Sequence, residues 1–260
     1  MVNINEDEIH LWFAYDREIS DPQLLAEYSA VLNNQESSRQ ARFYFEKDRH
    51  QYLVTRALVR STLSLYINDI EPAQWEFNKN AYGKPAIGNP TDFPLQFNLS
   101  HTHGMIVMAV TTTRKVGVDV EWLLRGGETV AIADNFFSPQ EVKQLRSLPT
   151  AEQDSRFFDL WTLKESYIKA YGMGLSIPLD QFSFSFLKDD RISIAFDPRW
   201  NDHPDNWFFW QIQPRDTHKV ALAVESKGKS VECCRLSFRE VTPMRQFSEV
   251  SYPNFPGWEE

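Results

Sequence analysis

Cysteine is almost missing from this chain: Cys233 and Cys234 are its only two, and they are neighbours. Adjacent cysteines do not close an unstrained disulfide, and no Cys/His ligand spacing surrounds them, so a disulfide scaffold and a zinc ribbon are both excluded. Long apolar runs are missing too, with nothing near the ~20 residues that cross a bilayer. The polar, acidic start from Met1 to Asp7 lacks the charged-then-apolar pattern of a secretory leader, so a soluble, cytoplasmic protein is expected. Basic residues are in the minority, 27 Lys and Arg against 36 Asp and Glu, for a net charge of −9. Without a basic run to track phosphates, general nucleic-acid binding is not expected, and any acidic partner needs a local basic patch.

What is present is a chain of 260 residues, enough for one large or two modest domains, with an ordinary apolar content and somewhat many aromatics. Its organising stretch is Lys115-Val116-Gly117-Val118-Asp119-Val120-Glu121-Trp122. Val116, Val118 and Val120 alternate with Gly117, Asp119 and Glu121, the period of a strand with one buried face. Asp119 and Glu121 therefore project from one side, and Gly117 beside them leaves room for a ligand to approach the backbone. Two adjacent carboxylates repel each other. Either they are solvated acids at a sheet edge, or a hard divalent cation holds them together.

Around this strand the pattern alternates. His10 to Tyr15 reads as a strand, and Asp21-Pro22 opens a helix. A long helical pattern covers Arg39 to Tyr66, and Trp75 to Asn78 is a strand before the Ala81-Tyr82-Gly83-Lys84-Pro85 turn. Strands follow at Gln96 to Ser100 and Met105 to Thr113. Ser138-Pro139-Gln140-Glu141 has the residues of a helix start with a capping box. Phe157 to Tyr171 is a second long helix, ended by Gly172 and Gly174. Four strands are expected at Phe182 to Phe186, Arg191 to Phe196, Trp207 to Gln213 and Lys219 to Glu225. The tail from Val241 has no legible element. Each half thus offers a long helix, a Tyr-Gly turn, and a strand pair with a His in its connecting turn, which implies two similar α+β halves.

Trp161, Glu165 and Lys169 stand four apart, on one stripe of the second long helix, while Lys164 falls on the core stripe with Phe157, Leu160 and Ile168. Glu165 and Lys169 are a solvent-facing ion pair, or a third carboxylate and a cation that meet Asp119 and Glu121. In the second case, three acids without Cys or spaced His suit Mg²⁺ or Mn²⁺ better than zinc. His101-Thr102-His103 has no further Cys/His cluster to make a transition-metal site, so His101 is solvated at a strand end, or serves with Ser100 as a phosphate ligand beside a metal–phosphate site. Arg39, Arg42, Arg49, Arg56 and Arg60 form a solvated face, or phosphate ligands.

Together these motifs resemble the surfactin-synthetase type of 4'-phosphopantetheinyl transferase. The likeness is carried by Tyr82-Gly83-Lys84-Pro85, Phe97-Asn98-Leu99-Ser100-His101, Val116 to Glu121, Phe136-Phe137-Ser138 with Glu141, Trp161-Thr162-Leu163-Lys164-Glu165-Ser166 with Lys169, and Gly172 to Phe184. It implies two α+β subdomains related by pseudo-twofold symmetry, each a small sheet on a long helix. Residues 1–114 would form the coenzyme A adenine and 3'-phosphate side, 115–228 would hold magnesium and the catalytic acids, and 229–260 would be an extension. The implied reaction moves 4'-phosphopantetheine from coenzyme A to a serine of an apo acyl or peptidyl carrier protein and releases adenosine 3',5'-bisphosphate.

On this resemblance Asp119, Glu121 and Glu165 would hold Mg²⁺, with Mn²⁺ as the other candidate. Glu165, directly or through a water, would be the base for the serine, and Lys169 would stabilise the departing phosphate, helped by Lys164. Gly83, Lys84 and Pro85 would lie by the adenine, and Ser100 and His101 by the 3'-phosphate and ribose. Relatives place two basic residues before the Arg42-Phe43-Tyr44 segment, where this chain has Glu36 and Arg39, so Arg56 is expected to compensate for Glu36. An acidic, helical carrier would find Lys143 and Arg146 on the Ser138 helix. A chain with both halves would act as a monomer. Two rival readings are a magnesium-dependent phosphodiesterase using the same acids, and a module that binds coenzyme A without catalysis.

Overall fold

The computed structural model describes residues 1–125, 129–187 and 191–252. Strand β1 (Glu8–Ala14) leads into helix α1 (Pro22–Ala30), whose N-terminus is capped by the Asp21 carboxylate accepting from the Gln23 amide. The helical pattern expected as one piece from Arg39 is two helices, α2 (Asn34–Ala41) and α3 (Glu46–Tyr66). The break is local. Asn33 and Glu36 close a capping box at the start of α2, and the Arg42 amide tightens onto Arg39 O. Phe43, Tyr44 and Phe45, weak helix formers, carry the chain to the acidic first turn of α3.

The short pair β2 (Phe77–Lys79) and β3 (Pro85–Ile87) comes next, then the hairpin β4 (Gln96–Thr102) and β5 (Met105–Thr111). β6 (Val116–Trp122) opens the second half, followed by α4 (Pro139–Ser147) and α5 (Thr150–Tyr171). The pair β7 (Phe182–Phe186) and β8 (Ile192–Phe196) and the hairpin β9 (Trp207–Arg215) and β10 (His218–Glu225) complete it. The tail supplies β11 (Arg235–Thr242) and β12 (Gln246–Val250).

The repeat is plain in the topology. The first sheet runs β12-β11-β1-β5-β4 and the second β6-β10-β9, so β1-β5-β4 and β6-β10-β9 are the same antiparallel motif. Counted from the hairpin turn, Met108 is the fourth residue of β5 and Ala221 the fourth of β10. Trp12 pairs with Met108 and Asp119 with Ala221, so an apolar residue stands in the first sheet where the acid stands in the second. Ala14 likewise takes the place of Glu121. Both Trp12 and Ala14 are fully buried, which leaves the acidic pair to the second half alone. The two Tyr-Gly turns are not part of the repeat: Tyr171-Gly172 closes α5, whereas Tyr82-Gly83 lies between β2 and β3.

Among the described residues, three apolar cores hold this arrangement. One lies between α3 and the first sheet, one between α5 and the second, and the third between the sheets, where Leu11, Phe13 and Val107 meet Val118, Val120 and Leu222. The edge strands β4 and β6 meet at the seam, where the Val118 amide donates to Asn98 Oδ1 at 2.9 Å. α5 lies flush on β6 because Gly117 has no side chain. A Cβ there would fall 2.1 Å from Ser166 O and 2.2 Å from Ala170 N. The space expected for a ligand at Gly117 is therefore filled by the helix.

Candidate active site

Close packing of α5 on β6 brings the acidic face of the strand under the stripe that carries Glu165 and Lys169. Asp119 is 5% exposed, and its Oδ1 accepts from Lys169 Nζ at 2.6 Å and from Ser100 Oγ at 2.9 Å. Lys169 Nζ also donates to Ser100 Oγ at 2.8 Å. Asp119 Oδ2 is buried without a hydrogen-bond partner among the described residues.

Glu121 meets Arg125 at 3.3 Å, while burial first and the Asp119 charge second push its carboxyl above the usual range. Glu165 is raised further, to about 7, by burial and then by Asp119, with Lys169 pulling the other way. The three carboxyls thus share one electrostatic field. Among the described residues, however, no group of three acidic, His or Cys side chains stands in metal-ligating geometry. The lysine ammonium is the cation that Asp119 touches. An oxygen-only donor set with an orphaned buried carboxylate oxygen nevertheless fits a hard divalent cation such as Mg²⁺ or Mn²⁺.

Ser100 and His101 point to opposite sides of β4, as successive strand residues must. Ser100 is turned to Asp119. His101 is exposed, and the surrounding protein and then the Lys169 charge hold its imidazole below the ordinary value. Arg39 is also exposed and lies over the Tyr52 ring.

Two residues expected at coenzyme A are engaged elsewhere. Arg56 forms an ion pair with Glu36, which is 8% exposed and also takes Arg60 Nε at 2.9 Å, so Arg56 is held, together with Arg60, by the acid at the position it was expected to compensate for. Lys164 is wholly buried: its ammonium donates to Leu179 O at 2.7 Å and Phe182 O at 2.6 Å and pairs with Glu141 at 2.9 Å. It holds α5 to α4 and β7 and cannot reach a ligand.

Lys84 is half-buried, and its ammonium donates to Ala170 O at 2.9 Å and Val116 O at 3.2 Å. Burial, and then Lys115, push it down to about 8. Gly83, at φ 90°, and Pro85 flank it, with Gly83 exposed. On α4, the residues Ser138 and Glu141 form the expected capping box, Lys143 is exposed, and Arg146 pairs with Asp134 at the surface.

Sequence reasoning missed Asn80. Its Oδ1 accepts from the Tyr82 and Lys84 amides, at 3.0 and 2.9 Å, and its Nδ2 donates to Gly172 O at 2.7 Å. An Asn ahead of a glycine turn is a legible turn signal, but its long-range bond is not.

Comparison with known proteins agrees with these motifs. A family model described as 4'-phosphopantetheinyl transferase, N-terminal, matches residues 20–113, and one described as the 4'-phosphopantetheinyl transferase superfamily matches 115–224. The 4'-phosphopantetheinyl transferase HetI of a Nostoc species is 34% identical over 85% of this chain and 90% of its own length. A 4'-phosphopantetheinyl transferase of Bacillus subtilis is 37% identical, covering 64% of this chain and 71% of that protein. The transferase Sfp of the same species is 34% identical, covering 64% and 72%. No helix among the described residues is long and apolar enough to cross a membrane. With relatives matched over most of their length and the acidic strand and Glu/Lys helix stripe meeting at one seam, the chain belongs to the 4'-phosphopantetheinyl transferase superfamily and is an enzyme of that kind.

Proposed function

We propose that this chain transfers 4'-phosphopantetheine from coenzyme A to a serine hydroxyl of an apo carrier protein, releasing adenosine 3',5'-bisphosphate, with Mg²⁺ or Mn²⁺ as its metal. The observation that carries this reading is the convergence of Asp119, Glu165 and Lys169 at the β6–α5 contact, with one oxygen of Asp119 left unpaired. Asp119, Glu121 and Glu165 would hold the metal, which when bound neutralises pyrophosphate charge.

The side chains have distinct tasks. Glu165, on the α5 stripe beside Asp119, is the carboxylate proposed to accept the serine hydroxyl proton; its rise to about 7 belongs to the chain without a cation. The Lys169 ammonium, anchored between Asp119 and Ser100, is placed to meet charge that develops on the departing phosphate. His101 and Arg39, both exposed, are the groups proposed to meet the 3'-phosphate, since Arg56 is occupied by Glu36. The exposed turn around Gly83 is proposed to meet the base. Lys143 on α4 is proposed as part of the carrier-docking patch, with Arg146 shared with Asp134.

The test is the intact mass of a panel of apo carriers after incubation with coenzyme A and Mg²⁺. One phosphopantetheine gained with the native chain and none with Glu165→Ala is expected. Coenzyme A cleaved equally well without a carrier would replace the transferase by a phosphodiesterase. Binding without turnover would leave a coenzyme A module.

A further inference from the structure

The last carbonyls of a helix have no partners within it, and how they are satisfied fixes the course of its final turn. At the end of α5, Gly172 adopts a left-handed φ of 86°, and its amide closes onto Ile168 O at 2.9 Å. Two neighbouring carbonyls are satisfied from across the seam. Ala170 O takes Lys84 Nζ at 2.9 Å, and Gly172 O takes Asn80 Nδ2 at 2.7 Å. The same ammonium reaches Val116 O, at the first residue of β6, at 3.2 Å.

The contact is tight. A Cβ on Gly172 would lie 3.1 Å from Lys84 Cδ and 3.3 Å from Asn80 Nδ2. Asn80 also shapes the turn that presents Lys84, through the two amides bonded to its Oδ1. The β2–β3 turn therefore has an inner side fastened to α5 and β6. Its outer side is open, with Ala81, Tyr82 and Gly83 all exposed.

We infer that Asn80 and Lys84 are positioning residues that set the last turn of α5, and through it the stance of Lys169 and Glu165 over Asp119. Lys169 directly precedes Ala170, so a shift of that carbonyl moves the ammonium as well. A ligand on the outer side of the turn bears on the same helix end. The inference rests on the transferase reading for what α5 does, and on the hydrogen bonds alone for how it is held.

The test compares Lys84→Met, Lys84→Arg and Asn80→Asp with the native chain. Asn80→Asp keeps the acceptor that shapes the turn and removes the donor to Gly172. Hydrogen exchange in peptides covering 165–172 is expected to quicken roughly tenfold in Lys84→Met and Asn80→Asp, with α3 unchanged. With coenzyme A and an apo carrier, kcat is expected to fall about 10- to 100-fold while KM for coenzyme A stays within about threefold. Lys84→Arg, which keeps donors for both carbonyls, is expected to restore most of kcat.

Unchanged exchange at 165–172 overturns the inference. A rise confined to KM does so too, because the ammonium would then be a ligand contact. If Lys84→Met does not fold, Asn80→Asp decides both measurements. A native chain that modifies no carrier would sink the transferase reading, while the exchange comparison would still decide how α5 is held.

Discussion

Asp119 is satisfied on one oxygen only, and its charge falls on Glu165 and Glu121, both already short of water. That arrangement costs stability when the acids ionise. The Glu165 carboxyl rises from its ordinary 4.5 to about 7 in the folded chain, so between these values the folded state binds more protons than the unfolded one. Stability then falls as pH rises through this window, by ~2 kcal/mol after allowing for partial solvent screening. In chelator, Glu165→Gln is expected to be more stable than the native chain at pH 8 and equal to it below pH 4.5, read by urea denaturation. No difference at pH 8 would mean that Glu165 is not strained by its neighbours. A second prediction at this scale concerns Glu36. With Arg56 paired, kcat/KM for coenzyme A and for its 3'-dephospho form should differ by less than about tenfold, and Arg39→Ala should narrow the gap further. A preference of a thousandfold would show another phosphate grip. The acidic pair and the Glu165/Lys169 stripe were legible because both follow from period and spacing within one element. Arg56 was not: its partner Glu36 lies on a different helix, and only packing reveals the pair.

Between elements, a fully buried link is the ion pair of Glu141 on α4 with Lys164 on α5, where neither side chain is exposed at all. Glu141 also accepts from the Ser138 and Phe184 amides, so one carboxylate caps α4 and ties it to β7. Burying both charges is expensive, and the hydrogen bonds to Leu179 O and Phe182 O offset the cost. Removing Lys164 leaves the Glu141 charge buried with only its two amide hydrogen bonds. Lys164→Met is therefore expected to destabilise the chain by about 3–5 kcal/mol, measured by urea denaturation at neutral pH. A loss of activity without loss of stability would instead return Lys164 to the ligand site. The capping box at Ser138 could be read from four residues, since caps are local. The break between α2 and α3 could not. Arg42 to Phe45 contains neither Gly nor Pro, and the helical pattern continues on its far side. The room that Gly117 suggests has an occupant the sequence does not name, and it is the backbone of α5.

For the whole molecule, the tail joins the first sheet and adds to the core between the halves. A division into 1–114, 115–228 and 229–260 remains a proposal, but β11 of the third segment lies parallel to β1 in the first sheet, with Leu11 beside Phe238. Parallel pairing across such a distance in sequence could not be read from a tail of mixed aromatics and acids. Phe238 and Tyr252 pack on Phe13, with ring centroids 6.5 and 5.8 Å away, at the core shared by the two sheets. The seam that holds Asp119 against Ser100 is therefore backed by residues from the end of the chain. Ending the chain at Lys229 would bare one edge of β1 and open that core to water. Phe238→Ala, a milder change, is expected to cost about 3–5 kcal/mol, as for other large-to-small core substitutions. The truncated chain is expected to lose its near-ultraviolet circular dichroism at temperatures where the native chain keeps it. A truncated chain with an unchanged melting temperature would make β11 and β12 an appendage. The active-site seam would then be held by the β4–β6 contact and α5 alone.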